Sequence, residues 1–214
     1  LRGIGAMLAA MAAFVVNDAL MKLAAAELPT GEVIFLRGAI MVPALGAFLL
    51  MTGDPGIARA LARPKIWGRC VAEVGAAVLY LTALFHMPIA DCTAILQFTP
   101  LALTAGAALF LGAQVGWRRW LATLVGLVGV LIIIRPGAAA FNPYAAVALA
   151  SVVFIVARDL ITRTMGAEVP TLAIVFSATV AVALASLALL PFETWAWPSA
   201  RVLTALCGAS AVLL

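Results

Sequence analysis

The chain has 214 residues, of which 66% are hydrophobic and 10% charged, and its formal net charge is +4. Soluble domains average about 45 to 50% apolar and about 25% charged residues, so a water-solvated surface cannot be built from this composition. The Lys and Arg are scattered through the breaks between apolar runs, not gathered on one stripe with interleaved aromatics, which argues against a nucleic-acid partner. A mean hydropathy of +1.19 instead marks an integral membrane protein whose first partner is the lipid bilayer. Apolar runs near 20 residues long alternate with short polar breaks, as in bundled helices; a barrel would show alternating segments of about ten residues. The predicted spans are residues 3–24, 31–51, 68–85, 89–112, 118–135, 142–163 and 170–190, and an eighth opens at 200.

Orientation follows from the basic residues. With the amino terminus cytoplasmic, the inner side receives Arg2, the cluster Arg59, Arg63, Lys65 and Arg69, the pair Arg118 and Arg119, and Arg163. The outer side keeps Lys22, Arg135 and Arg201, so every loop pair obeys the positive-inside rule. The chain opens with Leu1 and stops inside an apolar run at Leu214, and it is expected to be a piece of a longer protein. Its first span is not expected to be a cleaved leader, because it lacks a small-residue cleavage site and carries Asn17, Asp18 and Lys22. Cys70, Cys92 and Cys207 are odd in number and far apart, which suits helix packing better than a disulfide framework or a metal site.

Charge inside a bilayer costs about 2.5 to 3.5 kcal/mol per residue and needs a partner or a wet cavity. In the first span Asp18 lies six residues before the outer end, and in the second Arg37 lies six residues past the outer start. Both therefore sit about 9 Å below the outer surface, and a pair is expected. Lys22 follows Asp18 by one turn in the favourable acid-before-base order. Lys22 and Glu32 either complete an outer cluster or snorkel to the headgroups. On the third span Glu73 stands near the depth of Arg158 for an inner pair, or serves as a helix-start carboxylate beside Arg69. Tyr80, one turn before that span ends, offers an aromatic wall or simple packing. His86 precedes Pro88 and is expected in the outer loop, whereas Asp91 falls in the first helical turn, where the helix dipole favours a carboxylate.

The fourth span places Thr93, Gln97, Pro100 and Thr104 at i, i+4, i+7 and i+11, one helical face through the midplane. Such a face suits a cavity wall or interhelical hydrogen bonding, and Pro100 frees a backbone carbonyl near residue 96. Trp67, Trp117, Trp120, Trp195 and Trp197 fall at expected interfaces. Ala122, Gly126 and Gly129 give the fifth span a small-residue face for close contact within the bundle or between the protomers of a homodimer. Asp159 and Arg163 lie near the inner end of the sixth span.

A shift of 141 residues superposes the chain on itself. Leu8-Ala9 falls on Leu149-Ala150, Asp18 on Asp159, Lys22 on Arg163, Ala26-Glu27 on Ala167-Glu168, Pro29-Thr30 on Pro170-Thr171 and Phe35 on Phe176. A repeat of five spans is odd, so the second copy crosses the membrane in the opposite sense and one acid-base pair lies toward each face. Inverted repeats give one protein two related conformations, each open to one side, as in secondary transporters.

Five segments in order resemble the EamA-type branch of the drug/metabolite transporter superfamily. They are Asn17-Asp18-Ala19-Leu20-Met21-Lys22, Phe35-Leu36-Arg37-Gly38, the stretch from Ala83 through His86-Met87-Pro88 to Ile95, the stretch from Leu111-Gly112 to Trp117-Arg118-Arg119-Trp120, and Gly129 to Arg135-Pro136. Where many relatives carry Glu after the glycine, this chain has Ala113. The resemblance implies ten helices in two inverted five-helix repeats with a substrate cavity between the halves. Residues 1–136 would form the first repeat and 142–214 an incomplete second one. The expected fold is thus all-α and integral to the membrane, a polytopic helical bundle with seven spans and the start of an eighth. The implied function is secondary transport of a small metabolite, amino-acid-derived or similar to S-adenosylmethionine, across the bacterial inner membrane, with no cofactor and no metal. The same fold permits flipping of a lipid-linked head group. An enzyme would need a nucleophile-base set or metal ligands, and a channel a charge ring or filter segment; the sequence displays none of these.

Overall fold

The computed structural model describes residues 2–52, 56–134, 142–166 and 169–213, and all regular structure among them is helical. The helices are α1 (Arg2–Ala24), α2 (Thr30–Thr52), α3 (Gly56–Leu61), α4 (Pro64–His86), α5 (Ile89–Leu96), α6 (Thr99–Leu111), α7 (Trp117–Ile134), α8 (Pro143–Arg163), α9 (Thr171–Ser186) and α10 (Ala200–Leu213). A 3-10 segment, Leu187–Phe192, extends α9. Among the described residues, five stretches are long and apolar enough to cross a membrane: 30–52, 64–86, 89–111, 143–163 and 171–189. The protein is a multi-pass membrane protein by this measure, and the outward display of Phe48, Leu50, Met51, Leu109, Phe110, Leu124 and Val125 matches a hydrocarbon solvent.

Proline and glycine set most of the helix ends. Pro64 and Pro143 occupy first-turn positions of α4 and α8, where a missing N–H costs nothing. Asn142 caps α8 by accepting from the Tyr144 N–H at 3.0 Å. Gly112 ends α6 at φ +64°, a left-handed conformation that side chains resist, and Ala113 N–H returns to the Ala107 carbonyl at 3.1 Å.

The 89–111 stretch is not one continuous helix. It breaks at Gln97 and Phe98, between α5 and α6. The cause is Pro100, which has no N–H and crowds the carbonyl four residues earlier, that of Leu96, the last residue of α5. His86, expected in a loop, is instead the last residue of α4.

By packing, the chain falls into two units, residues 1–54 with 179–214, and residues 55–178. In the first, α10 lies along α1 and also touches α2, and the 3-10 segment covers the start of α2. That closure depends on Gly31, where a Cβ would sit 2.8 Å from Leu189 Cβ. Two reciprocal bonds fasten it: Gly31 N–H donates to Glu193 Oε2 at 2.8 Å, and Ala196 N–H donates to Glu32 Oε2 at 3.0 Å. Trp195 tilts against Phe35 with ring centroids 5.3 Å apart, so it is a packing residue here, whereas Trp197 is fully exposed. Glu32 is 3% exposed, so it does not snorkel.

In the second unit α4 lies along α8, with α5 and α6 also on α8 and α7 against α6 and α5. Small residues bring these helices together. A Cβ at Gly106 would meet Leu160 and Val156 at 3.0 Å, and at Gly75 and Gly126 it would overlap Phe154 and Leu101 respectively.

Candidate functional site

The residues singled out in sequence collect into one charged cluster in each unit. In the second unit Lys65, Arg69 and Glu73 repeat at i, i+4 and i+8, so they form a stripe on α4. That stripe faces the carboxyl-terminal turns of α8. Glu73 bridges two cations: Oε2 lies 3.1 Å from Arg69 Nη2 and Oε1 lies 3.0 Å from Arg158 Nη1. The two alternatives for Glu73 are therefore realised together. Arg158 Nε also donates to Asp159 Oδ1 at 2.9 Å. Arg69 Nε donates to Thr162 Oγ1 at 3.0 Å, and Lys65 Nζ donates to the Thr164 carbonyl at 2.8 Å. Asp159 thus takes its neighbour Arg158 as partner, not Arg163 four residues on, and Arg163 is exposed. With side-chain exposures of 13%, 19% and 25% for Arg69, Glu73 and Arg158, the network is largely desolvated and each charge needs its counterpart.

In the first unit Asn17 and Asp18 are buried on α1, and Asn17 Nδ2 donates to Asp18 Oδ1 at 3.2 Å. Arg37 on α2 is half-buried and within Coulombic reach of Asp18. Arg37 Nε and Asn17 Oδ1 are buried and hold no hydrogen-bond partner among the described residues. Beside Asp18 the protein thus leaves one donor and one acceptor open, which a bound molecule or water can fill. Lys22 is half-buried in the last turn of α1.

The fourth-span face is less polar in effect than its residue types suggest. Thr93 Oγ1 donates back to the Ile89 carbonyl at 2.9 Å, and Thr104 Oγ1 to the Pro100 carbonyl at 2.9 Å, so both hydroxyl protons are spent within their own helices. Gln97 and Pro100 are exposed at the break. Asp91 is exposed in the first turn of α5, and Tyr80 is half-buried on α4. None of Thr93, Gln97, Pro100 and Thr104 lines the 700 Å³ cavity of this unit, which lies between α6, α7 and α8 and is apolar.

Sequence reasoning missed two features. His86 stacks on Tyr144 at 4.2 Å with an interplanar angle of 14°, and its Nδ1 lies 2.7 Å from the Thr82 carbonyl. The Glu32 and Glu193 bonds to backbone N–H groups were hidden because neither carboxylate has a basic residue at helical spacing to signal a role.

Charge clusters held between apolar helices agree with what comparison with other proteins finds. It is 34% identical over 178 residues to the pseudopaline exporter CntI of Pseudomonas aeruginosa, covering 80% of this chain and 61% of that one. It is 34% identical over 143 residues to a riboflavin transporter of Vibrio cholerae, covering 64% and 47%. To an S-adenosylmethionine uptake transporter of Rickettsia bellii it is 24% identical over 192 residues, covering 86% and 63%. The chain therefore spans about three fifths of the length of its first relatives. These relatives carry small organic molecules by name, and the flippase reading gains no support from them. A solved crystal structure superposes with a TM-score of 0.66 at 22% identity, covering 97% of this chain and 74% of the other, which supports the fold alone. Residues 1–135 match the EamA-like transporter family as a whole, and with that match the chain belongs to the EamA family of the drug/metabolite transporter superfamily.

Proposed function

We propose that the protein is a secondary transporter that moves a small polar or amphipathic metabolite by alternating access across the bacterial inner membrane. The substrate class is an amino-acid derivative or a compound similar to S-adenosylmethionine, a reading supported by the names of the relatives. The amino terminus is cytoplasmic, and residues 1–136 and 142–214 are inverted copies of one five-helix design.

One observation carries this reading: each packing unit is centred on one long helix pair, and the proposed copies make the two pairs equivalent. In each, the third span of one copy lies on the first span of the other, α4 on α8 and α10 on α1. The positions related by the 141-residue shift behave alike as well. Asn17 donates to Asp18, and Arg158 donates to Asp159, each through the side chain of the preceding residue. Quasi-equivalent clusters toward opposite faces are what two alternating gates need. The Glu73 bridge ties α4 to α8 and closes the inner gate; the Asp18 and Arg37 cluster, with its open donor and acceptor, meets substrate from the outer side.

Uptake by the protein in liposomes, against a panel of amino acids, their derivatives and S-adenosylmethionine with and without a pH gradient, tests this. Saturable uptake of one class is expected, with at least a ten-fold loss in Asp18→Asn and Arg37→Ala, since each removes a charged hydrogen-bonding group worth about 1.5 to 3 kcal/mol. Undiminished uptake in both variants overturns the outer-gate assignment.

A further inference from the structure

The cavity of the second unit is apolar and lacks the charged groups of the two clusters. Its volume is about 700 Å³, and Phe98 at the cap of α6, Ala105 and Leu109 of α6, Leu127 of α7, and Val153 and Val156 of α8 typify its walls. The polar side chains in the lining are Thr123 and Thr164, and both hydroxyls are spent on their own helices, on the Arg119 and Ile161 carbonyls at 3.0 and 2.8 Å. Nothing in it asks for a polar ligand. The wall along α6 runs from Phe98 to Leu111, about 20 Å, or about two thirds of the roughly 30 Å hydrocarbon layer. The groove is therefore long enough to hold the acyl chain of one leaflet, whose apolar depth is about 15 Å.

One end of this groove is basic. The carboxyl-terminal half of α6 meets the carboxyl-terminal half of α8 at Gly106, Val156 and Leu160, so Arg163 and the α6–α7 turn share that end. Arg119 precedes Thr123 by one turn on the same helical stripe and, as helical side chains do, leans toward its own amino terminus, out of the apolar layer. Arg118 stacks over the Trp117 ring at 5.7 Å. Arg118, Arg119 and Arg163 are all exposed. The acids nearest this end among the described residues, Glu73 and Asp159, are already held by Arg69 and Arg158. An apolar slot long enough for an acyl chain, with a cationic rim that no acid among the described residues answers, is complementary to one class of molecule.

We propose that this groove is a binding site for an anionic phospholipid, with an acyl chain between α6, α7 and α8 and the phosphate on Arg119, flanked by Arg118 and Arg163. A neighbouring helix would fill the slot but leave the rim charges unanswered. Basic pockets between helices on the cytoplasmic side select anionic headgroups in this way.

The test uses the purified protein titrated with phosphatidylglycerol or phosphatidylcholine and read by native mass spectrometry. Preferential retention of phosphatidylglycerol is expected, and it should fall about five-fold for each arginine lost in Arg119→Ala and Arg163→Ala, while Arg119→Lys keeps most of it. Equal retention of the two lipids, or an unchanged preference in the double variant, overturns the proposal. A photo-crosslinking residue at Val153, in vesicles of phosphatidylglycerol and phosphatidylcholine, names the occupant directly. A lipid adduct supports the site; an adduct to another helix of the same chain or to a second copy overturns it.

Discussion

Glu73 holds two guanidinium groups at once, and this shared carboxylate joins α4 to α8 in the second unit. Replacing it with Gln keeps the shape and removes the charge, leaving Arg158 with Asp159 and Arg69 with Thr162. The loss expected is about 2 kcal/mol, the worth of a hydrogen bond to a charged group, visible as a lowered unfolding midpoint of the protein in detergent. A double-mutant cycle of Glu73→Gln with Arg158→Met should return a coupling of about 1 to 3 kcal/mol; additivity would show that the bridge contributes nothing. Glycines make a second contrast at this scale. A Cβ at Gly38 overlaps Ala183 Cβ and lies 3.2 Å from its Cα, so relief requires backbone movement. A Cβ at Gly75 meets first the ring of Phe154, a half-free side chain exposed to 38% that can turn away. Gly38→Ala should therefore destabilise by about 1 to 3 kcal/mol and Gly75→Ala by less, and equal midpoints for the two variants would refute this reading.

Among the elements, the α5–α6 break separates what sequence makes legible from what it hides. The proline and its effect on the carbonyl near residue 96 can be read directly, because the missing N–H is a property of Pro100 alone. The fate of Thr93 and Thr104 cannot, because a threonine on an apolar helix can turn its hydroxyl outward or onto its own backbone, and local geometry decides. Glu73 falls on the legible side. Its partners were legible because depth and i, i+4 spacing restrict them, whereas Glu32 and Glu193 bind backbone N–H groups from a segment more than 160 residues away and leave no periodic trace. Spans 143–163 and 30–52 agree with the hydropathy runs within about two residues, while the seventh run, read as one span to 190, ends as α-helix at Ser186 and tightens to 3-10 before Pro191. Pro100→Ala should restore the missing bond to the Leu96 carbonyl and join α5 to α6. Amide exchange at residues 97–101 should then slow, and if the break is a working hinge, substrate turnover should fall as the protein stiffens; unchanged exchange would mean that packing, not the proline, breaks the helix.

At the scale of the whole molecule, two divisions of one chain coexist. The proposed repeat divides it at about residue 140, whereas packing groups residues 55–178 apart from residues 1–54 and 179–214, so each unit mixes spans of both proposed copies. A boundary drawn from a repeat follows sequence likeness, whereas burial follows the partner that each apolar face finds. One consequence is geometric. If α4 and α8 are the third and sixth spans, the amino-terminal end of α4 and the carboxyl-terminal end of α8 must emerge on the same side of the bilayer. The bond from Lys65 Nζ to the Thr164 carbonyl at 2.8 Å joins those two ends within the second unit. Single cysteines at Arg63 and at Gly166, in a background with the exposed Cys207 replaced by Ser, should then react with an impermeant maleimide from the same face of oriented vesicles. The buried Cys70 and Cys92 should stay silent in both. Reaction of Arg63→Cys from one face and Gly166→Cys from the other would separate the ends that Lys65 and Thr164 join and would overturn the proposed inverted arrangement, and with it the proposed alternating access.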